Sequence, residues 1–262
     1  RQAELGISKS SFVPSARIID YSTPNYEAMY PNMSNNYGIG GFLGMVIPLV
    51  VVVLMDILDN KIKSKQDLDK ATKIPLAGIV GHNDKSSNLS VFSNPKSSIA
   101  ESFRALRSSL DFFSPQLDDK GKIFVVTSSI SGEGKTFCSI NLASVLSLSG
   151  KKTVLIGVDL RKPKIYMDFD LSNQVGLSNY LVAQAELDEA IQSTKYPSLD
   201  LISAGPIPPN PSELILSDRF SSMLNELKKK YAYIVLDTPP IGIVADAFEL
   251  MKYSDWNLYV VR

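Results

Sequence analysis

A short apolar strand that runs directly into S-S-I-S-G-E-G-K-T, residues 128–136, constrains this chain more than any other feature. Gly132 and Gly134 carry no Cβ, so backbone N–H groups can close around an anion at the start of a helix, where the helix dipole favours negative charge. Lys135 then reaches the β- and γ-phosphates of a nucleotide, and the hydroxyl of Thr136 ligates Mg²⁺. Ser131, Gly132, Glu133, Gly134, Lys135, Thr136 and Phe137 are therefore the candidate nucleotide-binding residues. The context agrees: K-I-F-V-V-T before the loop suits a buried parallel strand, and Phe137, Ile140, Leu142, Val145 and Leu148 after it recur at a helical period. Ser129 stands where the strict G-x-x-x-x-G-K-[ST] pattern has its first glycine, so an ordinary Ser/Gly-rich turn between strand and helix is the competing reading.

Two further strands end in carboxylates. Y-A-Y-I-V-L-D-T-P-P, residues 231–240, delivers Asp237 at the C-terminal end of an apolar strand, where ligands of open α/β sheets collect. Beside a phosphate loop, Asp237 is the natural carboxylate to hold Mg²⁺ through water; standing alone it would read as a turn residue before proline. T-V-L-I-G-V-D-L-R-K-P, residues 153–163, brings Asp159 one strand over, in reach of the metal or of a hydroxyl that attacks the γ-phosphate. A solvated D-L-R loop is the alternative for Asp159 and Arg161.

Taken together, S-S-I-S-G-E-G-K-T, V-D-L-R-K-P, P-P-N-P-S-E-L and V-L-D-T-P-P resemble the bacterial tyrosine kinases, the BY-kinases, whose catalytic domain is fused to a polysaccharide co-polymerase membrane protein. The resemblance spans about residues 97–262. It implies an ATP-dependent autokinase, with ATP and Mg²⁺ as cofactors, that phosphorylates a C-terminal tyrosine cluster on neighbouring subunits. Cycles of phosphorylation, reversed by a protein-tyrosine phosphatase, accompany assembly and export of capsular or extracellular polysaccharide. Carried over by position, Lys135 and Thr136 bind phosphate and Mg²⁺, Asp159 belongs to the Walker A′ motif and Asp237 to Walker B. Lys135, Asp159 and Asp237 are the expected catalytic residues, and Thr136, Asp159 and Asp237 the metal-binding ones.

One position departs from the family pattern. Its Walker A′ motif usually has two aspartates spaced D-x-D, and Gly157 occupies the first of these places. A base role toward the tyrosine hydroxyl would then pass to Asp159, to water, or to no group. Ahead of the loop, Glu101, Arg104 and Arg107 read E-x-x-R-x-x-R, which in the family pairs charges between subunits of a ring. The residues themselves allow this, since Ile99, Phe103, Leu106, Leu110 and Phe113 form an apolar stripe that leaves Glu101, Arg104 and Asp111 on another face. The bland reading is a solvated amphipathic helix with i,i+3 pairs worth about 0.2–0.5 kcal/mol each.

A membrane span lies upstream. Residues 37–55, Y-G-I-G-G-F-L-G-M-V-I-P-L-V-V-V-V-L-M, hold no charge, and at about 1.5 Å per residue they nearly match a hydrocarbon core of about 30 Å. Lys61, Lys63, Lys65, Lys70 and Lys73 follow the span closely, whereas residues 18–36 contain Asp20 and Glu27 and no Lys or Arg. The positive-inside rule therefore puts the C-terminal side in the cytoplasm of a bacterial inner membrane. The expected organisation is an extracytoplasmic segment at 1–36, a transmembrane helix at 37–57, a juxtamembrane linker at 58–96 and the kinase domain at 97–262. A chain that opens on Arg1 and closes on W-N-L-Y-V-V-R reads as a fragment, and no terminal tyrosine cluster stands among its eleven tyrosines.

Alternating strands near 76–80, 123–127, 154–158, 199–203, 234–237 and 257–261, with helices that include 212–229 and 245–252, predict an α/β fold. Its sheet is mostly parallel, P-loop NTPase-like, with helices on both faces. The chain carries 27 basic and 27 acidic residues, a balance that argues against a nucleic-acid partner. Cys138 reads as a small core residue, and His82 is given no role. Two other function classes compete with the autokinase. One is a deviant-Walker ATPase switch, whose loop typically carries a lysine where this chain has Ile130. The other is a nucleotide-gated chain-length regulator without kinase activity, which Gly157 keeps in view.

Overall fold

The computed structural model describes residues 30–58, 65–84, 87–113, 121–242 and 246–262. Asp20, Glu27, Lys61 and Lys63, which carry part of the orientation argument, lie outside them, as does most of the expected extracytoplasmic segment. The chain divides into two compact units, Arg1–Lys61 and Ile62–Arg262.

The described part of the first unit is one helix, α1 (Met33–Leu58), longer at both ends than the uncharged run, with Pro48 inside it. Its 26 residues, with an 18-residue stretch of mean hydropathy 2.5, make it long and apolar enough to cross a membrane. None of its residues is buried. A proline is tolerated there because the freed carbonyl can be satisfied by local adjustment.

The second unit contains, in chain order, α2 (Lys65–Ala71), α3 (Ser90–Ser93), α4 (Ser98–Phe113), β1 (Lys122–Ser128), α5 (Lys135–Ser147), β2 (Thr153–Gly157), α6 (Ile165–Asp168), α7 (Leu177–Leu181), α8 (Leu187–Ala190), β3 (Ile191–Ser193), β4 (Leu199–Ile202), α9 (Pro211–Ile215), α10 (Asp218–Lys230), β5 (Tyr233–Asp237), α11 (Asp246–Met251) and β6 (Trp256–Val260). The six strands form one sheet in the order β3-β4-β2-β5-β1-β6. All neighbours are parallel except β3 with β4. Three central strands therefore end on the same edge with their phosphate-loop and carboxylate residues side by side, at the place where open parallel sheets bind ligands.

Two cores flank the sheet. Phe124, Val126, Leu155 and Val235 face one core with Ile140, Leu142 and Val145 of α5 and Phe103 of α4. Ile123, Val125, Val154, Ile156, Ile234 and Leu236 face the other, with Leu177 of α7 and Phe220, Met223 and Leu227 of α10. Burial on both faces is why these strands read as continuous apolar runs rather than alternating ones.

Two sequence expectations are corrected and one strand was not foreseen. Residues 76–80 form no strand: Val80 packs against the α4 side of the core, but Ile79 is 66% exposed, and Pro75, Gly78 and Gly81 punctuate the run. Nor is 212–229 one helix, because it breaks between α9 and α10, where Ser217 Oγ accepts the Phe220 N–H at 3.3 Å as an N-cap. The edge strand β3 escaped notice because three half-exposed residues give no periodicity. Of the expected helix 245–252, Asp246–Met251 is described and Ala245 lies outside the described residues.

Candidate nucleotide site

β1 ends at Ser128 and the chain turns sharply. Gly132 and Gly134 take φ of 96° and 95°, the left-handed region that favours glycine. A Cβ on either would meet nothing within 4 Å, so open space lies over the loop where phosphate oxygens would sit. Gly134 caps α5, and the first helical bond runs from Cys138 N–H to Gly134 O at 2.9 Å. The amides of Lys135, Thr136 and Phe137 precede that bond, as anion-binding helix starts require.

The loop is braced from both sides. Glu133 Oε2 accepts the Ile130 N–H at 2.9 Å, and Ser128 Oγ donates to Ile130 O at 2.8 Å. Ile241 and Gly242 N–H groups donate to Ser128 O and Ser129 O at 2.9 and 3.0 Å, tying the loop to the turn after β5. Ser129 Oγ also bonds the Tyr259 hydroxyl of β6. Glu133 is thus a brace of the loop through its carboxylate. Phe137 turns its ring into the core, edge-on to Phe103 at 5.9 Å, so its contribution to a nucleotide is its backbone N–H.

Asp237 sits at the end of β5, opposite Gly157 of β2 and Val126 of β1 in the ladder. Its carboxylate is 5% exposed and takes one hydroxyl on each oxygen: Thr136 Oγ1 donates to Oδ2 and Ser139 Oγ to Oδ1, both at 2.9 Å. Burial pushes its pKa up to about 6, against the Thr136 and Ser139 hydrogen bonds; the Asp159 charge adds to the rise and Lys135 opposes it. Lys135 is itself buried at the foot of the loop. The same burial, with the Asp237 charge nearby, raises the Cys138 thiol to about 11.

Asp159 is half-buried just beyond β2. Its Oδ1 accepts the Arg161 and Lys162 N–H groups at 3.2 and 3.0 Å, a turn that fixes the carboxylate near Asp237. Arg161 Nη2 donates to Ser212 Oγ at 2.7 Å, linking this turn to the P-P-N-P-S-E segment with which it lines a shallow cleft. Lys135, Thr136, Asp159 and Asp237 are thus brought to one edge of the sheet. Among the described residues no three His, Cys, Asp or Glu side chains gather as a metal cage. The Thr136 hydroxyl and the Asp237 carboxylate suit Mg²⁺, which takes one or two carboxylates and completes its shell with phosphate and water.

Within the protomer, the charged helix residues have partners. Arg104 bonds Glu101 Oε1 and Pro95 O, and Arg107 Nη1 donates to Val145 O of α5 at 3.1 Å. Two residues of the site's surroundings had no signal in the motif: Ser139, below Asp237, and Asn141. Asn141 Oδ1 accepts the Val91 N–H at 2.9 Å while its amide donates to Asn88 O and Phe137 O at 2.7 and 2.8 Å. The two stand two positions apart on α5 and so face different ways, Ser139 toward Asp237 and Asn141 toward Val91.

Fold and site define a P-loop α/β domain of the nucleotide-binding kind. Comparison with known proteins narrows the class. A sequence-family model described as an AAA domain matches residues 121–255. The chain is 42% identical over 161 residues to the putative tyrosine-protein kinase CapB of Staphylococcus aureus, covering 62% of this chain and 70% of CapB. It is 33% identical over 278 residues to a putative tyrosine-protein kinase in the cps region of Klebsiella pneumoniae, covering 100% of this chain and 38% of that relative. The kinase domain of the Escherichia coli tyrosine kinase Etk superposes with a TM-score of 0.69 at 32% identity, over 76% of this chain and 81% of that one. The chain belongs to the bacterial tyrosine-protein kinase family, and it spans 38% of the length of the Klebsiella relative.

Proposed function

We propose that this chain carries the catalytic and membrane-anchoring parts of an ATP-dependent protein-tyrosine autokinase. The observation that carries the reading is the buried Asp237 joined to Thr136 beside a glycine cradle, with Asp159 one strand away. Bound Mg²⁺ would supply charge neutralisation at the β- and γ-phosphates of ATP. Lys135 and the loop amides hold the phosphates, Thr136 and Asp237 hold the cation, and Asp159 orients the incoming tyrosine hydroxyl. The hydroxyl oxygen bonds the γ-phosphorus as the bond to the β–γ bridging oxygen breaks. ADP leaves and the proton passes to Asp159 or water. Positioning and electrostatics supply most of such a rate enhancement, so no covalent intermediate with the protein is needed.

The acceptors in this reading are tyrosines of neighbouring subunits, brought close by a ring that assembles through Glu101, Arg104 and Arg107. α1 anchors the protein in the bacterial inner membrane with the kinase domain in the cytoplasm, and the phosphorylation cycle, with a partner phosphatase, regulates capsular or extracellular polysaccharide assembly. Family membership, the cps-region relative and the membrane-length apolar helix α1 support this. Gly157 favours a second reading, a nucleotide-gated assembly factor without transfer. Labelled γ-phosphate supplied as Mg-ATP to the full-length parent, beside Asp159→Asn, separates the two. Phosphotyrosine that forms in the parent and fails in a variant still binding ATP supports the autokinase. ATP binding with no transfer in the parent supports the second reading.

A further inference from the structure

Ser139 lies on α5 one turn beyond Thr136, fully buried, and takes no part in the loop itself. Its hydroxyl has two acceptors in range, Asp237 Oδ1 at 2.9 Å and its own helix carbonyl Lys135 O at 3.0 Å. A serine hydroxyl has one proton. Bonding back to the i−4 carbonyl is the ordinary habit of a helical serine. Here the competing acceptor is a carboxylate, and a hydrogen bond to an ionised group is about twice as strong as one between neutral groups.

The two hydroxyls divide the carboxylate between them. Thr136 takes Oδ2 and Ser139 takes Oδ1, and among the described residues these are the donors Asp237 has. Committing the Thr136 proton to Oδ2 leaves its lone pairs free to face a cation. That commitment lasts only while Oδ2 stays turned toward Thr136, which requires Oδ1 to be satisfied at the far end. We infer that Ser139 is a positioning residue for the cation site, acting through Asp237 on the direction of the Thr136 hydroxyl. The inference rests on the nucleotide-binding reading above.

The test uses the full chain in detergent and a fluorescent ATP analogue, titrated with Mg²⁺ and with EDTA, for wild type, Ser139→Ala, Asp237→Asn and the double variant. Thermal melts of each check folding. The expected result for Ser139→Ala is unchanged affinity in EDTA and a loss of about tenfold in the gain that Mg²⁺ brings, the weight of one hydrogen bond to a charged group. In the double variant Ser139→Ala should add nothing to Asp237→Asn, because its effect passes through that carboxylate. Equal weakening with and without Mg²⁺, additive effects in the double variant, or no change at all would each overturn the inference and return Ser139 to a helix back-bond. A wild-type chain that binds the analogue with no Mg²⁺ gain overturns the cation site as well; a wild-type gain untouched by Ser139→Ala overturns the positioning role alone.

Discussion

Thr136 Oγ1 stands 2.9 Å from Asp237 Oδ2, joining residues 101 positions apart in the chain. The contact exists because β1 and β5 are parallel neighbours in a register that sets Val126 opposite Asp237, so the helix launched from β1 begins over the end of β5. The threonine hydroxyl and the serine one turn on each hydrogen-bond one oxygen of this buried carboxylate.

That carboxylate should make stability depend on pH. An ordinary aspartate ionises near 3.8, whereas Asp237 holds its proton to about 6 because it is buried. Below pH 3.8 the folded and unfolded chains are both protonated and nothing is lost. Between about 4 and 6 the unfolded chain releases the proton first, so stability falls as pH rises, and above about 6 the penalty is constant. Asp237→Asn should therefore stabilise the nucleotide-free domain at pH 7.5 by about 1–3 kcal/mol, with little gain at pH 4. Denaturant titrations at the two pH values measure it.

Gly157 is held in place by packing. A Cβ there would lie 3.0 Å from Ile165 Cγ2 and 3.5 Å from Ala204 N. An aspartate installed to restore the family's D-x-D spacing meets that methyl group and adds a second buried charge opposite Asp237. Gly157→Asp should cost about 2 kcal/mol or more of stability, and adding Ile165→Ala should relieve the steric part only. Melting curves of the two variants give the difference.

Asn141 joins α5 to α3 and the residues just before it through two hydrogen bonds, with Val91 N–H and Asn88 O, and it is fully buried. Asn141→Ala leaves the Val91 N–H and the Asn88 carbonyl without this partner, a cost of about 2–3 kcal/mol. Hydrogen exchange should show lost protection first at residues 88–94, before the sheet opens.

Glu101 is largely exposed, whereas Arg107 reaches the last turn of α5. Replacing Glu101, Arg104 and Arg107 together by Ala should leave a folded monomer that no longer assembles, with a stability loss of about 1 kcal/mol carried mainly by Arg107. Light scattering that finds an unchanged oligomer would return α4 to the reading of a solvated face with local pairs.

Much of the fold was legible because β1, β2 and β5 are buried on both faces and so announce themselves as unbroken apolar runs ending in Gly, Asp or Ser. The phosphate loop was legible for a local reason, the left-handed backbone that only Gly132 and Gly134 accept without strain. Residues 76–80 misled because a short apolar run is equally compatible with a strand and with a loop laid along a helix. Here the run passes close to α4, where a Cβ added to Gly78 would lie 3.4 Å from Leu106 Cδ1. The break at Ser217 carried a visible cap signal that periodicity alone ran across.

Glu133, Ser139, Asn141 and Arg107 show where such reading stops. Each is an unremarkable polar residue whose role depends on an atom elsewhere, from three to 98 positions away: Ile130 N, Asp237 Oδ1, Val91 N and Val145 O. Residue types and spacing settled that a phosphate-binding loop, two strand-end carboxylates and a membrane-length apolar helix were present, because those features are encoded in local backbone freedom and apolar length. Which hydroxyl met which carboxylate oxygen, and how far burial raised its pKa, was decided by strand order and register, since hydrogen bonds and desolvation act only over the few ångströms that folding brings together.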